Sequence, residues 1–153
     1  MTKAKRQIET PPGAARKWTL SALAVLVCLS RAFICSADTI TDWDARATAV
    51  ASPAALGQRE LAIVDIAMFD AVNSIDRRYR PYLVQLPAAA TVSREAAAAS
   101  AAATALAALH PQSAGEFKAA LSEYLSGLSV SPDAVHAGEE LGAAVGQIGR
   151  AHV

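Results

Sequence analysis

Apolar residues recur at helical spacing through most of the chain after residue 38, and no stretch of useful length alternates apolar and polar side chains as a strand does. Residues three or four apart share one face of a helix, whereas strict alternation marks a half-buried strand. The pattern therefore predicts an all-α fold of about five helices. Because the connections between them are short, we expect an antiparallel, bundle-like arrangement. The helices are predicted over residues 41–51, 54–75, 93–109, 113–126 and 132–147.

Serine, proline and glycine residues mark the ends of these predicted helices. Four serines stand where a side chain can cap the helix that follows: Ser52, Ser93, Ser113 and Ser131. Proline directly follows the first and the last of these serines, and proline fits the first turn of a helix. Ser113 and Glu116 also have the spacing of a capping box. His110-Pro111 and Gly127 are expected to end the third and fourth helices.

The second predicted helix is apolar almost all the way round, so we expect it to be the central and most buried element. Pro81 lies beyond its end, and we expect an ordered but irregular connection up to Thr91. The alanine-rich stretch at residues 88–108 is interpreted as a packed helix rather than a disordered linker. Its small side chains let neighbouring helices approach closely.

The first 37 residues have the layout of a secretory signal peptide. An apolar run at residues 18–29 follows a basic leader and precedes Cys35-Ser36-Ala37, where small residues suit a cleavage site. The run is shorter than the roughly 20 apolar residues that span a bilayer, so we expect cleavage after Ala37 and no stable membrane anchor afterwards. The protein is therefore expected to be exported, to the periplasm or the extracellular space. A buried N-terminal helix is the alternative.

Removal of this segment changes the charge and the cysteine content. The remaining chain has eight basic and 13 acidic residues, a net charge of about −5. Nucleic acid is therefore not an expected partner. Both cysteines, Cys28 and Cys35, are lost with the leader, so packing rather than a disulfide must stabilise the fold.

Polar residues inside the second helix are the first candidates for chemistry. Asp65, Asp70 and Asn73 lie in its apolar sequence, and the last two share a face. They would form an acid/base or metal pair, or they would bond to a neighbouring helix, to Arg77 or Arg80, or to the following turn. We favour these structural roles because no second cluster of carboxylates and histidines completes a site.

The other candidates also have a structural interpretation that we favour. His136 with Glu139 and Glu140 is a weak metal-ligand pair, and a solvated helix surface is the preferred interpretation. His110 suits the negative end of a helix. The cluster of Arg77, Arg78 and Arg80 has two interpretations: it binds an anion, or it forms a solvated turn. We favour the solvated turn, in which one or two arginines pair with Asp70 or Asp76.

Three segments carry a family resemblance. Residues 39–44 read TITDWD, residues 59–75 read RELAIVDIAMFDAVNSI, and residues 79–82 read YRPY. In this order they resemble the start of mature bacterial vanadium-dependent haloperoxidase-like proteins, which belong to the type-2 phosphatidic acid phosphatase superfamily. Residues 67–75 followed by the Tyr-x-Pro-Tyr turn are the most specific part. The alanine-rich helix and its His-Pro end agree in placement.

The resemblance covers nearly all of residues 38–147 but only the N-terminal part of a family member. It implies that catalysis lies in a C-terminal helical bundle, where lysine, arginine and histidine side chains hold vanadate. No motif of that bundle has a match in this sequence, so no catalytic, cofactor-binding or metal-ligating residue is assigned. Vanadate is expected only in the full-length parent. The missing C-terminal bundle of the same chain is then the expected partner. Assembly into a homo-oligomer is the other arrangement considered.

Residues 148–153, Ile-Gly-Arg-Ala-His-Val, depart from the pattern of the last predicted helix. They match the translation of a common sequencing-adapter stretch, so we predict a non-native tail. The chain then comprises a signal peptide at 1–37, an N-terminal helical domain at 38–147 and this tail. The resemblance implies that this chain is truncated before the active site, and we expect it to be inactive alone. The alternatives are a phosphatase of the same superfamily, or a complete small secreted helical interaction module without enzymatic activity.

Overall fold

The structure, a computed structural model, describes residues 38–151, with side chains described up to residue 148. The predicted signal peptide at residues 1–37, with both cysteines, lies outside the described residues, as do the last two residues of the predicted tail. Within the described part, no helix is long and apolar enough to cross a membrane.

Five α-helices make up most of the described chain, which contains no strand. In chain order they are α1 (Thr39–Val50), α2 (Ala55–Asp76), α3 (Arg94–Leu109), α4 (Ala114–Ser126) and α5 (Pro132–Ala151). A short 3-10 turn, Pro111–Ser113, joins α3 to α4, and an irregular segment at residues 77–93 joins α2 to α3. The predicted all-α fold is confirmed.

The most buried helix is α3, so the prediction that the second helix is central is wrong. Ten residues of α3 are buried, and eight of them are alanines. It contacts each of the other four helices, because a helix of alanines is thin enough for neighbours to pack closely around it. The larger apolar side chains of α2 do not all face the core, since Leu56 and Phe69 are 63% and 41% exposed.

Three glycines, one at every fourth position of α5, form its contact with α3: Gly138, Gly142 and Gly146. A Cβ added at Gly142 would lie 2.2 Å from the carbonyl oxygen of Ala97, which is far inside van der Waals contact. The first glycine meets residues 93–97 of the chain and the last meets residues 101–104. The two helices therefore run parallel, with their backbones in close contact along about two turns.

Two of the four predicted serine caps form as expected. The Ser93 hydroxyl accepts a hydrogen bond from the Ala96 N–H at 3.1 Å, and the Ser131 hydroxyl accepts one from the Ala134 N–H at 3.3 Å. The capping box predicted at Ser113 is wrong, because this residue belongs to the 3-10 turn and its side chain caps nothing. His110 and Gly127 end α3 and α4 as predicted.

The last helix extends further than the sequence pattern indicates. We predicted its end near residue 147, with a break in the pattern after it, but α5 continues to Ala151. Ile148, Arg150 and Ala151 are all compatible with a helix, and the single Gly149 weakens a helix without ending it. The predicted end of α5 is therefore wrong, and the origin of residues 148–153 stays a prediction.

Candidate functional site

Asp70 is a buried carboxylate that binds the irregular segment after α2. It is 1% exposed. Its Oδ1 accepts a hydrogen bond from the Tyr82 N–H at 2.8 Å, and its Oδ2 accepts bonds from the N–H groups of Leu83 and Val84 at 2.7 and 2.9 Å. Backbone donors outside regular secondary structure need other partners when they are buried. Asp70 supplies such partners to three successive residues.

Asn73 and Ser74 bind the same segment on either side of residues 82–84, at Tyr79 and Leu86. The Asn73 side chain pairs with the backbone of Tyr79 in both directions: its Nδ2 donates to the carbonyl oxygen at 2.9 Å and its Oδ1 accepts from the N–H at 3.0 Å. The Ser74 hydroxyl donates to the Asp70 carbonyl at 2.8 Å and accepts from the Leu86 N–H at 3.0 Å. We call Asp70, Asn73 and Ser74 the α2 clasp.

The α2 clasp decides between the alternatives that the sequence left open for Asp70 and Asn73. Both residues bond to the following turn, which was one of the predicted structural roles, and the polar atoms of both are occupied there. Ser74 was missed, although its position four residues after Asp70 places it on the same face of α2. The clasp fixes the path of the chain from α2 towards α3.

Asp65 makes no bond in the clasp and lines an open apolar groove between α1 and α2. We call this the α1/α2 groove; it has a volume of about 590 Å³. Its lining comes from α1, from α2 and from the start of the segment that follows α2. The lining residues are Ile40, Thr41, Asp44, Asp65, Met68, Phe69, Val72, Asn73, Asp76, Arg78 and Tyr79. Three of its apolar residues face solvent, since Ile40, Phe69 and Tyr79 are 43%, 41% and 67% exposed.

Asp44 and Asp65 give the groove a negative rim. Burial against the groove raises the pKa of Asp65 above its ordinary value, and the nearby charge of Asp44 raises it further. Neither carboxylate forms a salt bridge with a described residue. When both carboxylates are ionised, their negative charges repel each other in the groove.

We expect Asp65→Asn to stabilise the protein at neutral pH and not at acid pH. A carboxyl group with a raised folded-state pKa favours the folded state while protonated, and this contribution is lost as the pH rises through that pKa. The amide stays neutral, so the gain in melting temperature should appear at about pH 7 and vanish near about pH 3. Thermal melts at both pH values test this, with Glu123→Gln on exposed α4 as the control. An equal gain at both pH values would contradict the assigned cause.

A second polar cluster joins the α1–α2 corner to the end of α3. The prediction that Ser52 caps α2 is wrong. Its N–H and its hydroxyl instead donate to the two carboxylate oxygens of Glu60, each at 2.7 Å. These bonds, the backbone one first, hold the pKa of Glu60 below its ordinary value. The helix instead begins after Ala54, whose positive φ of 60° is strained for a residue with a side chain.

The imidazole of His110 completes this cluster. His110 is the C-cap residue of α3, as predicted, and its backbone N–H donates to the Leu106 carbonyl at 2.8 Å. Its Nε2 lies 3.6 Å from Oε2 of Glu60. The imidazole makes no hydrogen bond to Ser52, so the three residues do not form the serine–histidine contact that a nucleophile requires. The arrangement is a structural link between the helices.

The other histidine and glutamate candidates lie on an exposed helix surface. His136 Nδ1 is 3.7 Å from Oε2 of Glu140, and both side chains are about 70% exposed. Across residues 38–148, no group of three or more histidine, cysteine, aspartate or glutamate residues is placed to hold a metal ion. The preferred interpretation as a solvated surface agrees with this exposure.

The arginines after α2 do not converge on a site. Arg77, Arg78 and Arg80 are all exposed. Their exposure agrees with the predicted solvated turn, but the predicted salt bridge to Asp70 or Asp76 does not form. Asp76 pairs with Arg94, whose Nε donates to Oδ1 of Asp76 at 2.7 Å, and the charge of Arg78 acts on Asp76 without a salt bridge. The bond from Arg94 also lowers the pKa of Asp76.

The described residues do not fit vanadate. An oxyanion site needs cations and hydrogen-bond donors aimed at one point. Arg77 and Arg80 are exposed outside the α1/α2 groove. Arg78 lines the groove together with three aspartates, whose carboxylates would repel an oxyanion. If the parent protein binds vanadate, residues outside the described part must hold it.

Comparison of the chain with protein-family models, with curated proteins and with solved structures gives no significant match.

Proposed function

We propose that residues 38–147 form the N-terminal helical scaffold of an exported vanadate-dependent haloperoxidase, whose catalytic helical bundle lies in a further part of the same chain. The proposal rests on the resemblance of residues 39–44, 59–75 and 79–82 to the start of such enzymes. A phosphatase of the same superfamily is the alternative, because phosphate and vanadate are bound by similar sets of cations and donors.

The observation that carries the proposal is the α2 clasp. The two most specific parts of the resemblance are residues 67–75 and the turn at 79–82, and the clasp bonds one to the other through Asp70, Asn73 and Tyr79. Side chains that hold a turn in this way have a structural reason to occur together with that turn. The resemblance thus coincides with one structural unit rather than with scattered apolar positions.

The activity of the parent protein tests this proposal. We expect the gene recovered from its source DNA to encode a protein that, with vanadate, oxidises bromide at the expense of peroxide, measured as bromination of an organic dye. The 153-residue chain should show no such activity. Hydrolysis of p-nitrophenyl phosphate without bromination would replace the haloperoxidase by the phosphatase. Neither activity in the parent, or bromination by the short chain, would contradict the proposal.

The variant Asp70→Asn in the parent separates a scaffold role from a catalytic one. Because the partners of the Asp70 carboxylate among the described residues are backbone N–H groups, its loss should lower the melting temperature and the yield of active enzyme. The KM for bromide of the folded fraction should stay unchanged. A changed KM with unchanged stability would place Asp70 in the reaction.

A further inference from the structure

We propose that the α1/α2 groove binds a cationic amphipathic helix, contributed by the part of the parent chain that follows α5. The inference rests on the proposed function for the source of this helix. The character of the helix, apolar along one face with a lysine or arginine at its edge, is argued from the groove alone.

The apolar part of the groove has the form of a helix-binding surface. Two helices supply its walls, and Met68 and Val72 on α2 are one turn apart, as are the contacts of an incoming helix. Phe69 and Tyr79 stack obliquely at its edge, with ring centroids 6.2 Å apart, and both are substantially exposed. A pocket for a small ligand would enclose most of its occupant. This open groove instead leaves its largest apolar side chains in water.

The charges on the rim determine which charge the partner must carry. Asp44 and Asp65 stand on opposite walls, one on α1 and one on α2, and the charge of Asp44 acts on Asp65 across the groove. Of the other charged lining residues, Asp76 is paired with Arg94 and the positive charge of Arg78 acts on Asp76, which leaves Asp44 and Asp65 without a salt bridge among the described residues. A lysine or arginine placed between Asp44 and Asp65 would remove their repulsion, whereas a glutamate there would add to it.

Binding of designed peptides to the 153-residue chain tests the inference directly. The probe is a helical peptide of about 18 residues, or five turns, with leucines on one face and lysines on the other. Its counterparts are a leucine/glutamate peptide of the same pattern and a leucine/lysine peptide of scrambled order. Titrations at about 0.15 M salt screen non-specific attraction to the acidic protein. We expect saturable binding of the patterned lysine peptide alone.

Matched variants locate the binding. Replacing Phe69 by Ser, or both Asp44 and Asp65 by Asn, should weaken binding about tenfold or more. The controls are Leu56→Ser, an exposed apolar residue of α2 outside the groove, and the double change Glu139→Gln with Glu140→Gln on α5; neither should alter binding. Circular dichroism and melting establish that each variant is folded.

Three results would overturn the inference. They are equal binding of the glutamate peptide, no saturable binding of the lysine peptide, and binding that the groove variants leave unchanged. A concentration-dependent dimer that Phe69→Ser abolishes would also overturn it, by making a second copy of the chain the occupant. None of these results bears on whether the gene encodes a catalytic bundle, so failure of the inference and failure of the proposed function are distinguishable.

Discussion

Replacing Gly142 by alanine should destabilise the protein by about 3 kcal/mol, although the change adds one methyl group to a helix. The new Cβ would lie 2.2 Å from the Ala97 carbonyl oxygen and 2.8 Å from the Cβ of Ser100. Both are part of α3 and cannot rotate away, so α5 must move outwards. That movement also lengthens the bond from the Ser100 hydroxyl to the Glu139 carbonyl, now 2.7 Å. Thermal and urea unfolding measure the loss.

The same substitution at Gly115 is the control, because a Cβ there meets nothing within 4 Å. Gly115→Ala should stabilise the protein by about 0.5 kcal/mol, since alanine restricts the unfolded chain and favours the helix. Gly138 and Gly146 give a graded series, with closest approaches of 2.6 and 2.8 Å. We expect the loss to decrease from Gly142 to Gly138 to Gly146. Losses of equal size at all four glycines would contradict the close contact of α3 and α5.

Replacing Asp70 by asparagine should also cost about 3 kcal/mol of folding free energy, which is at least about 10 °C in melting temperature for a domain of this size. The amide has one oxygen where the carboxylate has two, and the carboxylate accepts from three N–H groups. The amide nitrogen must therefore face at least one of these three N–H donors. Losing a charged acceptor costs more than losing a neutral one.

Asp65→Asn is the matched control for this change, since both aspartates lie in α2 and both variants lose one carboxylate. Asp65 accepts no hydrogen bond from the backbone of the segment at residues 77–93, so its replacement should not lower stability. Hydrogen exchange adds a local measurement: the N–H groups of Tyr82, Leu83 and Val84 should lose protection in the Asp70 variant only. Unchanged protection would mean that the α2 clasp does not hold this segment.

The helix positions follow from local sequence signals, which is why the sequence predicts them well. Ser93 and Ser131 cap their helices through bonds to residues three positions on, and such bonds depend only on nearby residues. His110 and Gly127 end their helices for the same kind of local reason. The all-α class needs no more than these ends and the apolar spacing between them.

Other failures come from contacts that reach beyond neighbouring helix turns. Ser52 has the sequence context of a cap, but Glu60 lies eight residues away and takes both of its donors. Apolar content suggested α2 as the central helix, whereas the thin alanine helix α3 permits approach on every side. The spacing of Gly138, Gly142 and Gly146 was readable as a close-contact face, but the sequence does not say which helix it meets.

The candidate site was predictable only in part. The sequence placed Asp70 and Asn73 on one face of a helix and left their partners open among several choices. The partners are backbone groups of an irregular segment, and backbone groups carry no sequence signal of their own. The α1/α2 groove was not foreseen, because Asp44 and Asp65 are 21 positions apart in the sequence and only the packing of α1 on α2 brings them to one groove.

The central claim is that these helices are the scaffold of an enzyme whose catalytic bundle follows them, and long-read sequencing of the native gene beyond the codon for Gln147 tests it most directly. We expect an in-frame continuation that replaces residues 148–153 and encodes further helices with a lysine, arginines and paired histidines for an anion pocket. A stop codon directly after the codon for Val153 in native DNA would contradict the claim and leave a small helical interaction module in its place.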